Sequence, residues 1–323
     1  MLELDLVLRV IIDAILITSM VKMALGYYSK GKNKHVYRMI GLFLFGVFWL
    51  FSAPRFFLEG DIFNAIILVL AMFFYSFLGY NEYLSHKWDE EIPALKWIVG
   101  ASFVGAGIYS LVDKIPILSG AVIYAVAQQT VWILNGLGFE KFGVGKIAYH
   151  GNPLWYRTNY DEISVAITNS KVAIIQACTA LQSMLIFVGA IFSVEAEKKR
   201  KWKAFFATVP VIYGLNLIRN VSVIYMIDVL EWDYEVAHNL VGRGGSFVAL
   251  LILAFVTFKI LPEVLDNIWA LVDLSEREKK EEDKEEKGFG EEELEEESEA
   301  DDFEKNQDIE DEEGEVEGEG EEN

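Results

Sequence analysis

Cysteine is almost missing from this chain: Cys178 is the only one in 323 residues. No internal disulfide can form, and a lone thiol is either core packing or a reactive group. Other patterns are missing as well. There is no His-Glu pair and no Cys-x-x-Cys, so no metal is expected. There is no glycine loop, so no nucleotide is expected, and no other cofactor is called for. No nucleic-acid partner is expected either. No internal repeat stands out, so a transporter built on inverted repeats gains no support. A cleavable signal peptide is also not evident. The first apolar run carries Arg9 and Asp13 and lacks a clear cleavage site, so it reads as a first span.

Net charge is missing from most of the chain. The whole sequence holds 49 Asp/Glu against 28 Lys/Arg. Residues 275–323 hold 27 and 6 of these, so residues 1–274 carry 22 of each. The low isoelectric point therefore describes the tail. That tail is dominated by glutamate and cannot bury enough apolar area to offset the entropy of ordering. It is expected to be a disordered cytoplasmic segment, distinct from a membrane domain over 1–274.

What is abundant is long apolar runs. Hydrophobic residues make up 53% of the chain and the mean hydropathy is +0.26 despite the polar tail, too apolar for a soluble domain. Several runs reach the roughly 18 residues that read as spans. The expected fold is an all-α polytopic membrane protein with about seven transmembrane helices. One amphipathic or half-buried helix and a small extracellular β-like segment over 138–170 complete it. Spans are expected near 6–27, 39–57, 62–78, 97–112, 172–194, 204–228 and 242–261. Strand-like composition appears at 146–150 and 163–168.

Basic residues set the orientation. The densest basic loops are 30–38 and 198–203, and both should be cytoplasmic, so an even number of spans separates them. Demoting the apolar stretch 117–137, which is interrupted by Gln128, Gln129 and Asn135, leaves four. The N-terminus and the 138–170 segment then lie outside.

Three polar features stand out against this background. Cys178 sits in Gln176-Ala-Cys-Thr-Ala-Leu-Gln-Ser183, expected about 9 Å below the outer end of its helix at about 1.5 Å per residue. Polar groups in a bilayer are costly and are usually there for a reason. Arg219 lies in Tyr213-Gly-Leu-Asn-Leu-Ile-Arg-Asn-Val-Ser222, more than two turns into its span, flanked by Asn216 and Ser222. The Asn-Val-Ser at 220–222 matches a glycosylation sequon but lies inside the span and is discounted. His238 precedes the last span in Ala237-His-Asn-Leu-Val-Gly-Arg-Gly-Gly-Ser246, with Arg243 at a similar depth. Each has an ordinary reading: a small core thiol, a snorkelling arginine, interfacial anchors. Together they fall on the outer side and form a set for acyl transfer. A thiolate attacks a carbonyl, a second group moves protons, and a cation stabilises the oxyanion.

At these residues the sequence resembles the exosortase/archaeosortase family, its archaeosortase A members most of all. The matching pieces are Ala177 to Met184, Val209 to Asn220, and the His238 region, within a resemblance covering roughly 1–270. It implies a multi-pass cell-membrane enzyme, a transpeptidase of surface proteins with its active site near the extracellular face. Family substrates end in a short motif such as Pro-Gly-Phe, a transmembrane helix and a basic tail. The new C-terminus passes to a membrane lipid. Cys178 would be the nucleophile and Arg219 the proton donor or oxyanion partner. His238 is taken as the third residue, with Arg243 second and Asn239 adjoining. A cysteine protease of the same fold that only hydrolyses is the nearest alternative. A transporter or structural membrane protein is the alternative from another class.

Overall fold

The computed structural model describes residues 2–58, 60–149 and 163–277. The chain divides into two units, Met1–Trp269 and Ala270–Asn323. Of the second only 270–277 are described, so the expected disordered tail lies outside the described residues, as does the 150–162 part of the expected extracellular segment.

Helices dominate. α1 (Leu2–Tyr28), α2 (Asn33–Leu58) and α3 (Ile62–Lys87) pack in sequence. α4 (Pro93–Ser102) continues through a π turn at Phe103–Ile108 into α5 (Tyr109–Lys114). α6 is Pro116–Gly136, α7 Leu181–Ser193 and α8 Lys198–Asp228. A π-helical stretch at Glu235–Arg243 runs into α9 (Gly244–Ile260), and α10 (Pro262–Asp273) follows. Six helical stretches among the described residues are long and apolar enough to cross a membrane: 33–58, 62–87, 93–114, 116–136, 198–228 and 235–260. At 27 residues α1 also exceeds the ~20 that a bilayer core requires, and α7 is a shorter apolar helix. The chain is a polytopic, mainly helical membrane protein with one small sheet.

That sheet is antiparallel, in the order β1 (Gly143–Ala148), β2 (Ser164–Thr168), β3 (Ala173–Ile175). Val144 pairs with Ile167, and Val165 pairs with both Ile147 and Ile174, with an irregularity between Val144 and Ile147. Side chains alternate across a strand. Val165, Ile167 and Ile174 accordingly point into a core completed by α6, by Val221 and Ile224 of α8, and by Cys178. The β2–β3 turn is tied to the end of α8, where Asp228 accepts from Ser170 Oγ and, at 3.1 Å, from the Lys171 N–H.

Helix α6, expected above not to span, is long and apolar enough to cross a membrane. Its buried residues Ser119, Ile123, Val126, Thr130 and Leu134 recur at three- and four-residue steps, a single helical stripe. The stripe faces the sheet and α8. The first turn is level with the Cys178 segment, because Ser119 Oγ donates to Gln176 Oε1 at 2.5 Å. The helix is not amphipathic, however: its exposed face carries Ile117, Leu118 and Trp132.

Several expected boundaries move. The expected span over 172–194 is not one helix. It is strand β3, a 3-10 turn at Gln176–Thr179, Ala180 in the left-handed region at φ +58°, and only then α7. Gln176, Cys178 and Thr179 are therefore outside a membrane helix, whereas Gln182 and Ser183 fall in the first turn of α7. The 30–38 loop is also shorter than expected. α2 starts at Asn33, and His35 and Arg38 are buried on it. α3 does not end at 78 but runs on to Lys87, with Glu82 buried against those two side chains. Finally, the 198–203 basic run is the first turn and a half of α8.

Candidate functional site

The site is assembled where the 3-10 turn meets the middle of α8. Cys178 is buried on that turn. Its carbonyl oxygen accepts two amide hydrogen bonds from α8, from Asn216 Nδ2 at 2.8 Å and Asn220 Nδ2 at 3.0 Å. Residues four apart share a helix face, so α8 presents both amides to one acceptor. Thr179 Oγ1 closes the turn by donating to Gln176 O at 2.7 Å. The left-handed Ala180 then redirects the chain into α7, so the thiol sits at the entrance of a helix rather than within it.

Arg219 lies on the same helix and is held from three sides. Nε donates to Gly242 O at 3.3 Å, Nη1 to Asn220 Oδ1 at 3.3 Å, and Nη2 lies 3.4 Å from His238 Nε2. A guanidinium only donates, so His238 Nε2 is the acceptor. The ring proton then resides on Nδ1, which lies 3.1 Å from Asn239 Oδ1 and donates to it. His238 is thus in its neutral Nδ1–H tautomer. It also stacks on Tyr234, with ring centroids 4.9 Å apart. Asn239 in turn donates to Glu235.

Glycine matters at one position here. A Cβ on Gly242 would lie 3.3 Å from Arg219 Nε, 3.2 Å from Val223 Cγ2 and 3.3 Å from Ala237 O. Three neighbours at that distance leave no room without moving the guanidinium. Gly242→Ala is therefore expected to push the Arg219 guanidinium and its neighbours apart by a few tenths of an ångström.

Cys178, Arg219, His238 and Arg243 all line one cavity of about 510 Å³. Its walls come from the α7 entrance, α8 and α9, and below the polar cluster they are apolar, with Ile212, Leu250 and Leu253. The structure thus brings all four expected residues to one cavity. It separates them by partner: Arg219 is bonded to His238, whereas Arg243 is exposed at the cavity wall. His238 is helical, on the π-helical start of the stretch leading into α9, rather than in a loop ahead of it. Among the described residues no group of three or more His, Cys, Asp or Glu side chains is placed to hold a metal.

Sequence reasoning passed over Asn220. It was dismissed with the sequon, yet it contacts both the Cys178 backbone and Arg219. Its place one residue after Arg219 and four after Asn216 was the available signal.

The family model described as Transmembrane exosortase (Exosortase_EpsH) matches residues 27–256 of this chain. The chain belongs to the transmembrane exosortase family. The matched range contains the whole cavity, from the thiol turn to α9. Archaeosortase A of Haloferax volcanii is 24% identical over 251 residues, covering 74% of this chain and 79% of that protein. Archaeosortase A of Natronomonas pharaonis is 23% identical over 245 residues, covering 69% of this chain and 75% of that protein. No solved structure matches this exosortase-family chain.

Proposed function

We propose that this exosortase-family protein is a membrane cysteine transpeptidase of surface proteins that carry a C-terminal sorting signal. The signal has a Pro-Gly-Phe-like motif followed by a transmembrane helix. The observation that carries the proposal is the shared cavity: the chain's single thiol, a half-buried arginine and a neutral histidine open onto one space. The apolar lower wall suits a substrate that arrives within the bilayer, and the polar upper end suits an extended peptide near the extracellular face of the cell membrane.

The chemistry follows from the groups. His238 accepts from Arg219 in the resting state; when the guanidinium turns to the substrate carbonyl, Nε2 is freed to take the Cys178 thiol proton. The thiolate adds to the scissile carbonyl carbon, and Arg219 donates to the oxyanion in a water-poor site. The C–N bond breaks, the leaving amine takes the proton back from Nε2, and an acyl-thioester remains on Cys178. Arg243, at the wall of the same cavity, is the second choice for the third position, where a guanidinium would donate to the oxyanion but not accept a proton. A nucleophilic group of a membrane lipid then attacks the thioester and gives its proton to Nε2, the C–S bond breaks, and the departing sulfur takes that proton to restore the thiol.

The thioester is tested directly. Incubating the enzyme with substrate and neutral hydroxylamine should release the upstream fragment as its hydroxamate, read by mass spectrometry. In membranes without hydroxylamine the same fragment should carry a lipid mass. A free carboxylate in both cases would mean simple hydrolysis and would overturn the transfer step.

A further inference from the structure

We propose that Asn220 is a positioning residue that fixes the distance between the nucleophile and its cation. Its amide N–H holds the Cys178 carbonyl while its amide oxygen holds the Arg219 guanidinium. The inference rests on the reading of Cys178 and Arg219 as the reacting pair.

The orientation of the amide is determined by chemistry. The Cys178 carbonyl only accepts and the Arg219 guanidinium only donates. Asn220 must therefore turn Nδ2 to the first, at 3.0 Å, and Oδ1 to the second, at 3.3 Å. Of the side chains of this size only an amide does both. Aspartate offers no donor to the carbonyl, and leucine offers neither group. Asn220 is 4% exposed, so water does not substitute for either bond without a rearrangement. An unpaired buried polar group is costly, and both partners would lose one at once.

Asn216 supplies the internal comparison. It makes the same bond to the same carbonyl, at 2.8 Å, from one turn earlier on α8. No hydrogen bond joins it to Arg219. Loss of Asn216 therefore removes one support of the thiol turn, whereas loss of Asn220 removes an equivalent support and also releases the cation. The difference between the two variants isolates the second effect.

The experiment is a double-mutant cycle on the full-length protein in detergent micelles. Single-turnover cleavage of a sorting-signal peptide is measured for Asn216→Ala and Asn220→Ala, with Arg219 present and with Arg219→Ala. With Arg219 present, Asn220→Ala should slow cleavage on the order of 10²-fold and Asn216→Ala only about 5-fold, a single hydrogen bond's worth. With Arg219→Ala the two asparagine variants should cost the same. An Asn220 cost that is undiminished by Arg219→Ala, or equal costs with Arg219 present, overturns the proposal.

A second reading is independent of the substrate and of folding yield. Alkylation of Cys178 in the folded fraction is compared for iodoacetate and iodoacetamide. Arg219 should favour the anionic reagent, and that preference should fall several-fold in Asn220→Ala and persist in Asn216→Ala. A preference that persists in both variants also overturns the proposal. Cys178→Ala run in parallel keeps the two levels apart: surviving cleavage there refutes the proposed function itself, not the role of Asn220 alone.

Discussion

Cys178→Ala is expected to abolish processing of sorting-signal substrates, by about 10⁴-fold or more, while leaving the fold intact. Nucleophilic catalysis has no substitute on this chain, because Cys178 is its only cysteine. The structural cost is small for a physical reason. The contacts that hold this turn are made by the backbone: the Cys178 carbonyl with its two α8 amides, and the Gln176 carbonyl with Thr179. Removing one sulfur atom from a residue bordering an existing cavity loses some packing and no hydrogen bond. The expected result is thus a separation, with thermal unfolding near that of the parent and no hydroxamate or lipidated product. A variant that still cleaves would return the thiol to the status of a small core residue and leave Arg219 in a packing role. A variant that fails to fold is answered by Cys178→Ser, which keeps the volume and reduces the nucleophilicity.

The membrane class and the polar residues that line the cavity were legible because both are signalled locally. Apolar runs declare spans, and a lone thiol, a mid-span arginine and a histidine beside a glycine cluster are conspicuous in them. The conformation around Cys178 was not legible. Residues 172–194 are apolar on both sides of Gln176–Ser183, and Val172, Ile174 and Ile175 suit a buried strand as well as a membrane helix. The break between the two is made by Ala180, a residue type that gives no sign of the left-handed conformation it adopts.

Long-range pairing was the other blind spot. His35 and Arg38 looked like loop charges because Lys30, Lys32 and Lys34 precede them. Their partner, Glu82, is more than forty residues away on what appeared to be the start of a polar loop. The rule that places basic loops in the cytoplasm counts exposed cations, and two of the residues assigned to it are internal. The parity of the same basic loops, with the paired glutamines, demoted the 117–137 stretch, yet α6 is long and apolar enough to cross a membrane and its exposed face is apolar. Its buried stripe is covered by the sheet and α8.

The largest effect on stability is expected at that internal cluster. Glu82 is fully buried, 2.8 Å from His35 Nδ1 and 3.4 Å from Arg38 Nη1, and those partners are 2% and 1% exposed. Arg38 also donates to Gly26 O at 3.0 Å and to Glu91 at 2.8 Å, so it joins α1, α2, α3 and the turn before α4. Glu82→Ala deletes the central acceptor, takes the buried carboxylate from His35 Nδ1 and leaves buried Arg38 with Gly26 O and Glu91 alone. Breaking a buried pair in this way costs about 3–5 kcal/mol. Replacing the set by apolar residues, His35→Leu with Arg38→Met and Glu82→Leu, should cost less than the single change, because no charge is then stranded. Glu91 adds an acid limb. Burial raises its carboxyl, but hydrogen bonds from Lys34 and Arg38 outweigh burial and hold it below its ordinary value of 4.5. A depressed folded value means that its contribution is complete above the unfolded value and is lost as the pH falls through the folded one. Thermal unfolding in micelles should therefore drop below about pH 4.5 in the parent, and Glu91→Gln should flatten that limb. If Glu82→Ala unfolds at the parent's temperature, or the triple variant is the less stable of the two, the cluster is not what ties α2 to α3.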